Sequence, residues 1–249
     1  MAHIDINLIS NTMGRNVDFT LILPSRRNFT PIDKYDAKHD TYYQDKKDKL
    51  YPLIILLHGY LNDEKAWTRY ARAELFADEN EIAICMVSGE NKFYLNWEAK
   101  TTNDRFYDFI EYELKDYLYG TFPISPKRED NYIAGLSMGG FGALYHGLSN
   151  PKAYKAIGAF SAPYTSFKEA DLKKIVYSVK DAPFVYMACG DKDFLLDDSC
   201  ELDQDLTKQK IDHYYDFVKG YGHEWRFWDM QLEKFIKFID RTDDYKKAK

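Results

Sequence analysis

The chain has 249 residues, 45% of them hydrophobic and 30% charged, and its formal net charge is -6 at pH 7. This composition is typical of a globular protein and excludes an intrinsically disordered chain. A net negative charge and a sequence pI near 5.6 argue against a nucleic-acid-binding surface.

The chain begins with two strand-like segments. Residues 4–9 and 17–23 predict strands, and the second, which Pro24 ends, is expected to be antiparallel. Residues 28–49 are polar and charged and predict a surface excursion. Leu53–Leu57 is a continuous apolar run, as expected for a strand with both faces covered in a parallel sheet.

Helical and strand patterns then alternate to the end of the chain. A predicted helix over 67–79 precedes a buried strand at 82–87, and after an irregular aromatic segment Asp104 is expected to cap another helix. Later strands are predicted at 132–134, 156–160, 184–189 and 212–218, followed by a final amphipathic helix. This alternation predicts one α/β domain over residues 1–249, with a mostly parallel sheet and helices on both faces. Only residues 161–183 are available for a lid, so we expect a minimal one.

The pattern Gly135-Leu136-Ser137-Met138-Gly139 lies between a predicted strand and a helix-compatible segment. It fits G-x-S-x-G, in which a serine on a sharp strand-to-helix turn projects its hydroxyl above the carboxyl end of a sheet. Glycines are needed because the strained turn brings the residues two before and two after the serine close together. The alternative is a glycine-rich turn that contains a serine by chance.

A nucleophilic serine needs a base and an acid at the same edge of the sheet. His223 follows the last predicted strand, where catalytic groups collect in an open α/β sheet, although a single loop histidine is more often an exposed polar residue. Asp193 is the predicted acid, and Asp191 in the same loop is expected to bond the backbone of the turn. The order Ser137, Asp193, His223 is that of α/β-hydrolases.

Two backbone amides are predicted to bind the developing oxyanion. Met138 follows the serine directly at the start of the helix, and Tyr60 lies in the loop after the buried strand. His58 precedes this loop and is expected to orient it. His146 is not a candidate base, because it lies nine residues along the serine's own helix, about 13 Å away by the helical rise.

The aromatic segment 91–97 follows the carboxyl end of a predicted strand and should overhang the face that carries Ser137. Tyr94 and Trp97 are therefore predicted to bind substrate as a wall of the acyl or alcohol pocket. The alternative, with equal weight, is a loop that covers the core, because a segment with several aromatic residues must bury some of them.

Cysteine and hydropathy patterns indicate the compartment. The chain has three cysteines, Cys85, Cys189 and Cys200, an odd number without the spacing of metal ligands. This pattern indicates free thiols in a reducing compartment. There is no secretory signal pattern and no apolar stretch of membrane-spanning length. We expect a cytoplasmic protein, able to form a homo-oligomer, that acts on a small-molecule ester without a metal or cofactor and binds neither nucleic acid nor membrane.

The chain resembles the esterase D-like branch of the α/β-hydrolases, which contains S-formylglutathione hydrolases, tributyrin esterases and the feruloyl and acetyl-xylan esterases of carbohydrate esterase family one. The resemblance implies Ser137 as nucleophile, His223 as base, Asp193 as acid, and Tyr60 and Met138 as oxyanion donors. It covers nearly the whole chain, through four motifs at residues 56–60 with Trp67, 133–140, 189–195, and 222–225 with Trp228.

Two stretches depart from the family's pattern. After the His-Gly pair the family usually has a small residue and then glycine, where this chain has Leu61-Asn62-Asp63, with Asn62 able to adopt left-handed backbone angles. The family's aromatic segment often contains Trp-Tyr, where this chain has Phe93-Tyr94. Both departures concern loops expected beside the acyl pocket.

The predicted function is a serine carboxylesterase that hydrolyses short-chain acyl or hydroxycinnamoyl (feruloyl-type) esters through an acyl-enzyme on Ser137. The alternatives are an S-formylglutathione hydrolase, an acyltransferase of the same fold in which an alcohol replaces water, and a catalytically silent binding module. The complete set of triad candidates argues against the silent module.

Overall fold

An eight-stranded sheet forms the centre of the computed structural model, which describes residues 1–24, 50–98, 103–168 and 170–239. The predicted excursion at 28–49 therefore lies outside the described residues. The strands are β1 (Ala2–Ser10), β2 (Arg15–Leu23), β3 (Leu53–Leu57), β4 (Ala83–Val87), β5 (Asn96–Glu98), β6 (Asn103–Arg105), β7 (Asn131–Leu136), β8 (Ala156–Phe160), β9 (Phe184–Gly190) and β10 (His213–Val218).

The order across this sheet is β1-β2-β4-β3-β7-β8-β9-β10, while β5 and β6 form a separate antiparallel pair. β2 runs antiparallel to both of its neighbours, and every other adjacent pair is parallel. All residues of β3, β4, β7 and β8 are buried, as their continuous apolar sequences require. The mostly parallel sheet is thus confirmed, including the antiparallel second strand.

Helices cover both faces of the sheet, as predicted. One apolar cluster joins the sheet to residues such as Trp67, Phe76 and Phe235, and a second joins the opposite face to Leu144 and Leu202. The helices are α1 (Ala66–Tyr70), α2 (Ala73–Glu79), α3 (Phe106–Asp108), α4 (Lys115–Thr121), α5 (Met138–Ser149), α6 (Leu172–Ser178), α7 (Leu196–Gln209) and α8 (Trp225–Phe238), with a π-helical segment, Phe109–Leu114, joining α3 to α4. Within the described residues no helix has the length and apolar character needed to cross a membrane.

The helix predicted over 67–79 is in fact two helices, α1 and α2. The chain is extended at Ala71, and the backbone N–H of Arg72 donates to Asp229 Oδ1 over 2.8 Å. The guanidinium of Arg72 also binds Asp229, with Nη2 2.7 Å from Oδ2. This pairing with α8 gives the Arg72 amide a partner outside its own helix, and α2 begins immediately after it.

Asp104 does not cap the following helix. It lies in β6, and its buried carboxylate pairs with Arg15 at 3.0 Å and Lys92 at 2.9 Å. These two cations compensate the carboxylate's loss of hydration, which explains why it is buried. The residue before α3 is Arg105, which makes no side-chain capping bond.

The parallel strands end at one edge of the sheet, and the segments that carry the predicted triad and the predicted oxyanion loop meet at this edge. The strand register places Leu57 of β3 opposite Gly135 of β7, and Gly190 of β9 opposite Val218 of β10. The segments that follow these strands carry His58, Ser137, Asp193 and His223 respectively. Their convergence follows from the rule that sites form outside the carboxyl ends of parallel strands.

The packing of α8 on the sheet generates a stability prediction. The ring of Phe235 is fully buried, with its centroid 6.2 Å from that of Phe160 and 5.8 Å from that of Tyr186. Phe235→Ala should lower the free energy of unfolding by about 3–5 kcal/mol through lost burial and a new cavity. Phe238→Ala, at a position 43% exposed in the same helix, should lower it by less than half as much. Equal losses in urea denaturation would contradict this packing.

Candidate active site

Ser137 occupies a strained turn between β7 and α5. Its φ of 51° and ψ of -118° are sparsely populated by residues other than glycine, and such a conformation costs about 1–3 kcal/mol. The backbone is held on both sides, since Ser137 N–H donates to Phe160 O over 2.8 Å and Ser137 O accepts from Phe141 N–H over 3.0 Å. The turn therefore keeps the hydroxyl at the edge of the sheet.

The glycines of this turn are required because a side chain at either position would clash with the backbone. A Cβ on Gly135 would lie 2.4 Å from the carbonyl oxygen of Gly139. A Cβ on Gly139 would lie 2.3 Å from the carbonyl oxygen of Leu57 and 2.7 Å from that of His58. No side chain fits at these distances, so both glycines are needed for the helix start to pack against the end of β3.

Ser137, His223 and Asp193 form a continuous hydrogen-bonded chain. His223 Nε2 lies 3.0 Å from Ser137 Oγ, and His223 Nδ1 lies 3.0 and 3.1 Å from the two carboxylate oxygens of Asp193. Because the carboxylate can only accept, Nδ1 carries the hydrogen and Nε2 is free to accept the serine proton. This arrangement can generate an alkoxide-like nucleophile at Ser137.

The environment of Asp193 keeps it ionised. Burial opposes ionisation, but hydrogen bonds from His223, from the Leu195 N–H at 2.9 Å and from Ser161 outweigh it and lower the pKa of Asp193. The competing candidate, Asp191, instead accepts a 2.6 Å bond from the Gly220 N–H and does not contact His223 in the described structure. The geometry thus separates the two aspartates.

Three further residues hold the histidine and its acid in place. The rings of Phe194 and Trp228 both contact the His223 ring, with centroids 4.4 and 4.8 Å away. Trp228 Nε1–H donates to Ser161 Oγ over 3.1 Å, and Ser161 is fully buried with a φ of 49°. Ser161 was not among the predicted site residues, although its place directly after β8 is a signal for this edge of the sheet.

The loop after β3 approaches the serine closely. A Cβ built on Gly59 would lie 3.6 Å from Ser137 Cβ, so Gly59, the residue before Tyr60, lies beside the serine. Among the described residues, the backbone N–H groups of Tyr60 and Met138 have no protein acceptor. Both are therefore available to bind an oxyanion, and their roles stay predictions.

His58 controls the orientation of this loop. The Gly89 N–H donates to His58 Nε2 over 2.8 Å, so Nε2 carries no hydrogen, and Nδ1–H donates to Gly59 O over 2.8 Å. Burial lowers the pKa of His58, which favours the same neutral ring. Because C=O and N–H point in opposite directions across a trans peptide, holding Gly59 O also directs the Tyr60 N–H.

The left-handed residue of the loop is Leu61, not Asn62. Leu61 has a φ of 63°, and its N–H donates to Asn91 Oδ1 over 2.6 Å. Asn62 uses its side chain to donate to Tyr60 O over 3.2 Å. The contact with Asn91, thirty residues further along the chain, holds Leu61 in a conformation that its side chain disfavours.

Tyr94 does not line a substrate-accessible wall, which corrects that prediction. Its side chain is completely buried, and its hydroxyl donates to His58 O over 2.9 Å. Tyr94 fits the alternative prediction, in which this segment covers the core. Its ring packs between Gly89 and Gly142, where a substrate cannot reach it. Trp97 is half-buried, with Nε1–H donating to Lys92 O over 2.7 Å, and its substrate contact stays a prediction.

Phe93, the residue before Tyr94, forms an aromatic rim with Phe167 and Tyr60 beside the oxyanion loop. Its ring stacks on Phe167 with centroids 3.6 Å apart and lies 6.2 Å from the exposed ring of Tyr60. Phe194, 74% exposed, contacts the ring of His223. Aromatic surface thus lies both beside the oxyanion loop and beside the histidine. Within the described residues no group of three His, Cys, Asp or Glu side chains could hold a metal.

Comparison with known proteins gives a consistent assignment. A family model described as putative esterase matches residues 10–239. An acetyl esterase of Caldicellulosiruptor saccharolyticus is 30% identical over 98% of this chain and 100% of its own. The chain belongs to this esterase family.

Solved structures extend the assignment to the fold. Fluorophosphonate-binding serine hydrolase F of Staphylococcus aureus superposes with a TM-score of 0.78 at 26% identity, over 96% of this chain and 98% of that one. A ferulic acid esterase superposes with a TM-score of 0.79 at 22% identity, over 96% and 97% of the two chains. The fold is the predicted α/β-hydrolase fold, and the esterase is a serine carboxylesterase.

Two glycines, one at the end of β9 and one in the loop just before His223, give a matched test of the site's assembly. A Cβ on Gly190 would lie 2.2 Å from Tyr221 O, whereas a Cβ on Gly222 would find its nearest neighbour, Lys192 O, at an ordinary 3.5 Å. Gly190→Ala should therefore separate the loops that carry Asp193 and His223, lower stability by about 1–3 kcal/mol, and slow labelling of Ser137 by an organophosphonate.

Gly222→Ala is the control and should retain both stability and the labelling rate. Urea denaturation and the time course of adduct formation by mass spectrometry measure the two quantities. Unchanged labelling in Gly190→Ala would contradict the close loop contact.

Proposed function

We propose that the protein hydrolyses short-chain acyl or hydroxycinnamoyl esters through an acyl-enzyme on Ser137. The observation that carries the proposal is the continuous hydrogen-bonded chain from Ser137 through His223 to Asp193. The 30% identity to an acetyl esterase over the whole chain supports a short acyl group, and the fold shared with a ferulic acid esterase is compatible with a hydroxycinnamoyl group.

The proposed acylation starts with attack of Ser137 Oγ on the ester carbonyl carbon while His223 Nε2 takes the hydroxyl proton. Asp193 fixes the tautomer of the neutral His223 ring and stabilises the imidazolium that forms from it. The carbonyl oxygen becomes an oxyanion that accepts hydrogen bonds from the Tyr60 and Met138 amides. Collapse of the tetrahedral intermediate breaks the bond to the alcohol, which leaves with the proton from His223.

Deacylation repeats these steps with water as the nucleophile. His223 Nε2 takes a proton from water as its oxygen attacks the acyl carbon, and the second tetrahedral intermediate releases the carboxylic acid. Ser137 Oγ recovers its proton from His223. An alcohol in place of water would give acyl transfer, so the balance depends on which nucleophile reaches the acyl-enzyme.

The apolar borders of the site favour substrates with an apolar or aryl portion. Tyr60, 53% exposed, continues into Phe93 and Phe167 on the oxyanion side, and Phe194 lies on the histidine side. Flat rings at both borders offer edge-to-face or stacked contacts to an aryl group. A charged, peptide-like substrate such as S-formylglutathione gains less from these surfaces.

An ester panel tests the proposal. Purified protein should hydrolyse p-nitrophenyl acetate and methyl ferulate with higher kcat/KM than S-formylglutathione, because only the first two match the apolar borders. Ser137→Ala should fold normally and lose a factor of roughly 10⁶ in kcat, as expected for removal of the nucleophile. Faster turnover of S-formylglutathione would show that the thioester is the preferred substrate. Near-wild-type turnover by Ser137→Ala would contradict the proposal.

The two aspartates of one loop provide a matched pair. Asp193→Asn should lower kcat by roughly 10⁴, because the amide cannot stabilise the imidazolium or fix the required tautomer. Asp191→Asn should mainly lower stability through its weakened bond to the Gly220 N–H. Steady-state kinetics on p-nitrophenyl acetate and thermal unfolding separate the effects. The reverse order of activities would transfer the acid's role to Asp191.

A further inference from the structure

The two backbone carbonyls before Tyr60 are both held by side chains. His58 O accepts from the hydroxyl of Tyr94 over 2.9 Å, and Gly59 O accepts from His58 Nδ1–H over 2.8 Å. The peptide that carries Gly59 O also carries the Tyr60 N–H, and the peptide that carries His58 O joins it at the Gly59 Cα, so these two bonds together fix the path of the chain into Tyr60. The direction of the Tyr60 N–H therefore depends on Tyr94 as well as on His58.

Tyr94 is fixed at both ends. Burial raises the pKa of its hydroxyl well above the ordinary value, so the hydroxyl keeps its hydrogen and donates it to His58 O. The ring fills the space between two glycines, where a Cβ on Gly89 or Gly142 would lie 2.3 or 2.6 Å from ring atoms. Its φ of 60° is left-handed, which costs about 1–2 kcal/mol in a residue with a side chain. Another interaction therefore has to stabilise Tyr94 in this backbone conformation.

That interaction is a hydrogen bond from a buried histidine on α5. His146 Nε2 lies 2.9 Å from Tyr94 O, and His146 Nδ1 lies 2.7 Å from Glu111 Oε1. Glu111 lies in the π-helical segment, and its side chain, like that of His146, is completely buried. A line of contacts thus runs from Glu111 through His146 and Tyr94 to His58.

The Glu111 carboxyl is ionised. Burial alone would favour the neutral acid, but hydrogen bonds from His146 and Lys115 lower the pKa of Glu111 to about 2. Lys115 Nζ and Asn150 Nδ2 approach Oε2 at 2.6 and 2.8 Å, and the hydroxyl of Tyr154 approaches Oε1 at 2.6 Å. A carboxylate surrounded in this way accepts hydrogen bonds from all of its neighbours.

Both partners of His146 are therefore acceptors only. A carboxylate oxygen and a peptide carbonyl oxygen cannot donate, so each of the two ring nitrogens must carry a hydrogen to make its bond. With a hydrogen on both nitrogens, the ring carries a positive charge beside the Glu111 carboxylate. Such charge-assisted bonds are shorter and stronger than neutral ones and suit the fixing of a strained backbone.

We propose that Tyr94 is a positioning residue of the oxyanion hole, and that protonated His146, bound to the Glu111 carboxylate, holds Tyr94 in its left-handed conformation. The inference rests on the proposed function, because the direction of the Tyr60 N–H affects a reaction only if Ser137 attacks an ester. The role goes beyond packing, since it predicts a defect in transition-state binding.

Tyr94→Phe tests the role of the hydroxyl while keeping the ring. We expect kcat for p-nitrophenyl acetate to fall roughly tenfold with KM unchanged, because an oxyanion hole acts in the transition state. The affinity for a trifluoromethyl ketone, which forms an oxyanion on Ser137, should fall by a similar factor. A Tyr94→Phe enzyme with wild-type kcat and wild-type ketone affinity would overturn the inference.

Tyr186→Phe is the matched control. Tyr186 is also buried, its hydroxyl donates to Gln231 Oε1 over 2.8 Å, and it lies on β9 against α8, away from the oxyanion loop. Both variants should lose some stability, but only Tyr94→Phe should lose kcat per folded molecule. Equal loss of kcat in the two variants would reduce Tyr94 to a packing residue.

Two further measurements complete the test. Titration of Ser137 with an organophosphonate shows whether the wild-type serine is reactive, so a failure of the proposed function is distinguishable from a failure of this inference in a labelled, active enzyme. Nitrogen-15 NMR of the histidine rings should show a hydrogen on both Nδ1 and Nε2 of His146 in the active enzyme. A neutral ring would contradict the proposed anchor.

Discussion

The close backbone contact between the serine turn and the end of β3 is the constraint on which the site depends. Gly139 lies so near the carbonyls of Leu57 and His58 that no side chain can be added there. This contact brings the start of α5 against the loop that carries Tyr60, and Ser137 takes a left-handed φ of 51° in the turn between β7 and α5. The strain of about 1–3 kcal/mol is sustained by hydrogen bonds on both sides of the serine.

A second close approach, between Gly190 and the Tyr221 carbonyl, determines where the base meets the acid. It joins the end of β9 to the loop after β10, and the His223 ring is further held by contacts with the rings of Phe194 and Trp228. His223 is therefore already held in its catalytic position before an ester binds. Preorganised groups of this kind supply catalysis because little reorganisation is left for the reaction itself.

The sheet, its antiparallel second strand, and the residue types and order of the triad candidates were predictable from local patterns and resemblance. The failures involve contacts between residues far apart in the sequence. Helix 67–79 breaks because Asp229 binds Arg72, and Leu61 is left-handed because Asn91 holds its amide. Tyr94 is buried because both its hydroxyl and its carbonyl have partners on other elements. No periodicity or turn preference encodes such pairings.

The central claim is that Ser137 carries the acyl group during turnover. Rapid mixing with p-nitrophenyl acetate, acid quenching and intact mass spectrometry would capture the covalent intermediate, and peptide mapping would locate it. The account predicts one acetyl group per chain, on the peptide that contains Ser137, released on the timescale of turnover. An acetyl group on another residue, or steady turnover with no covalent intermediate under conditions where deacylation is slow, would contradict it.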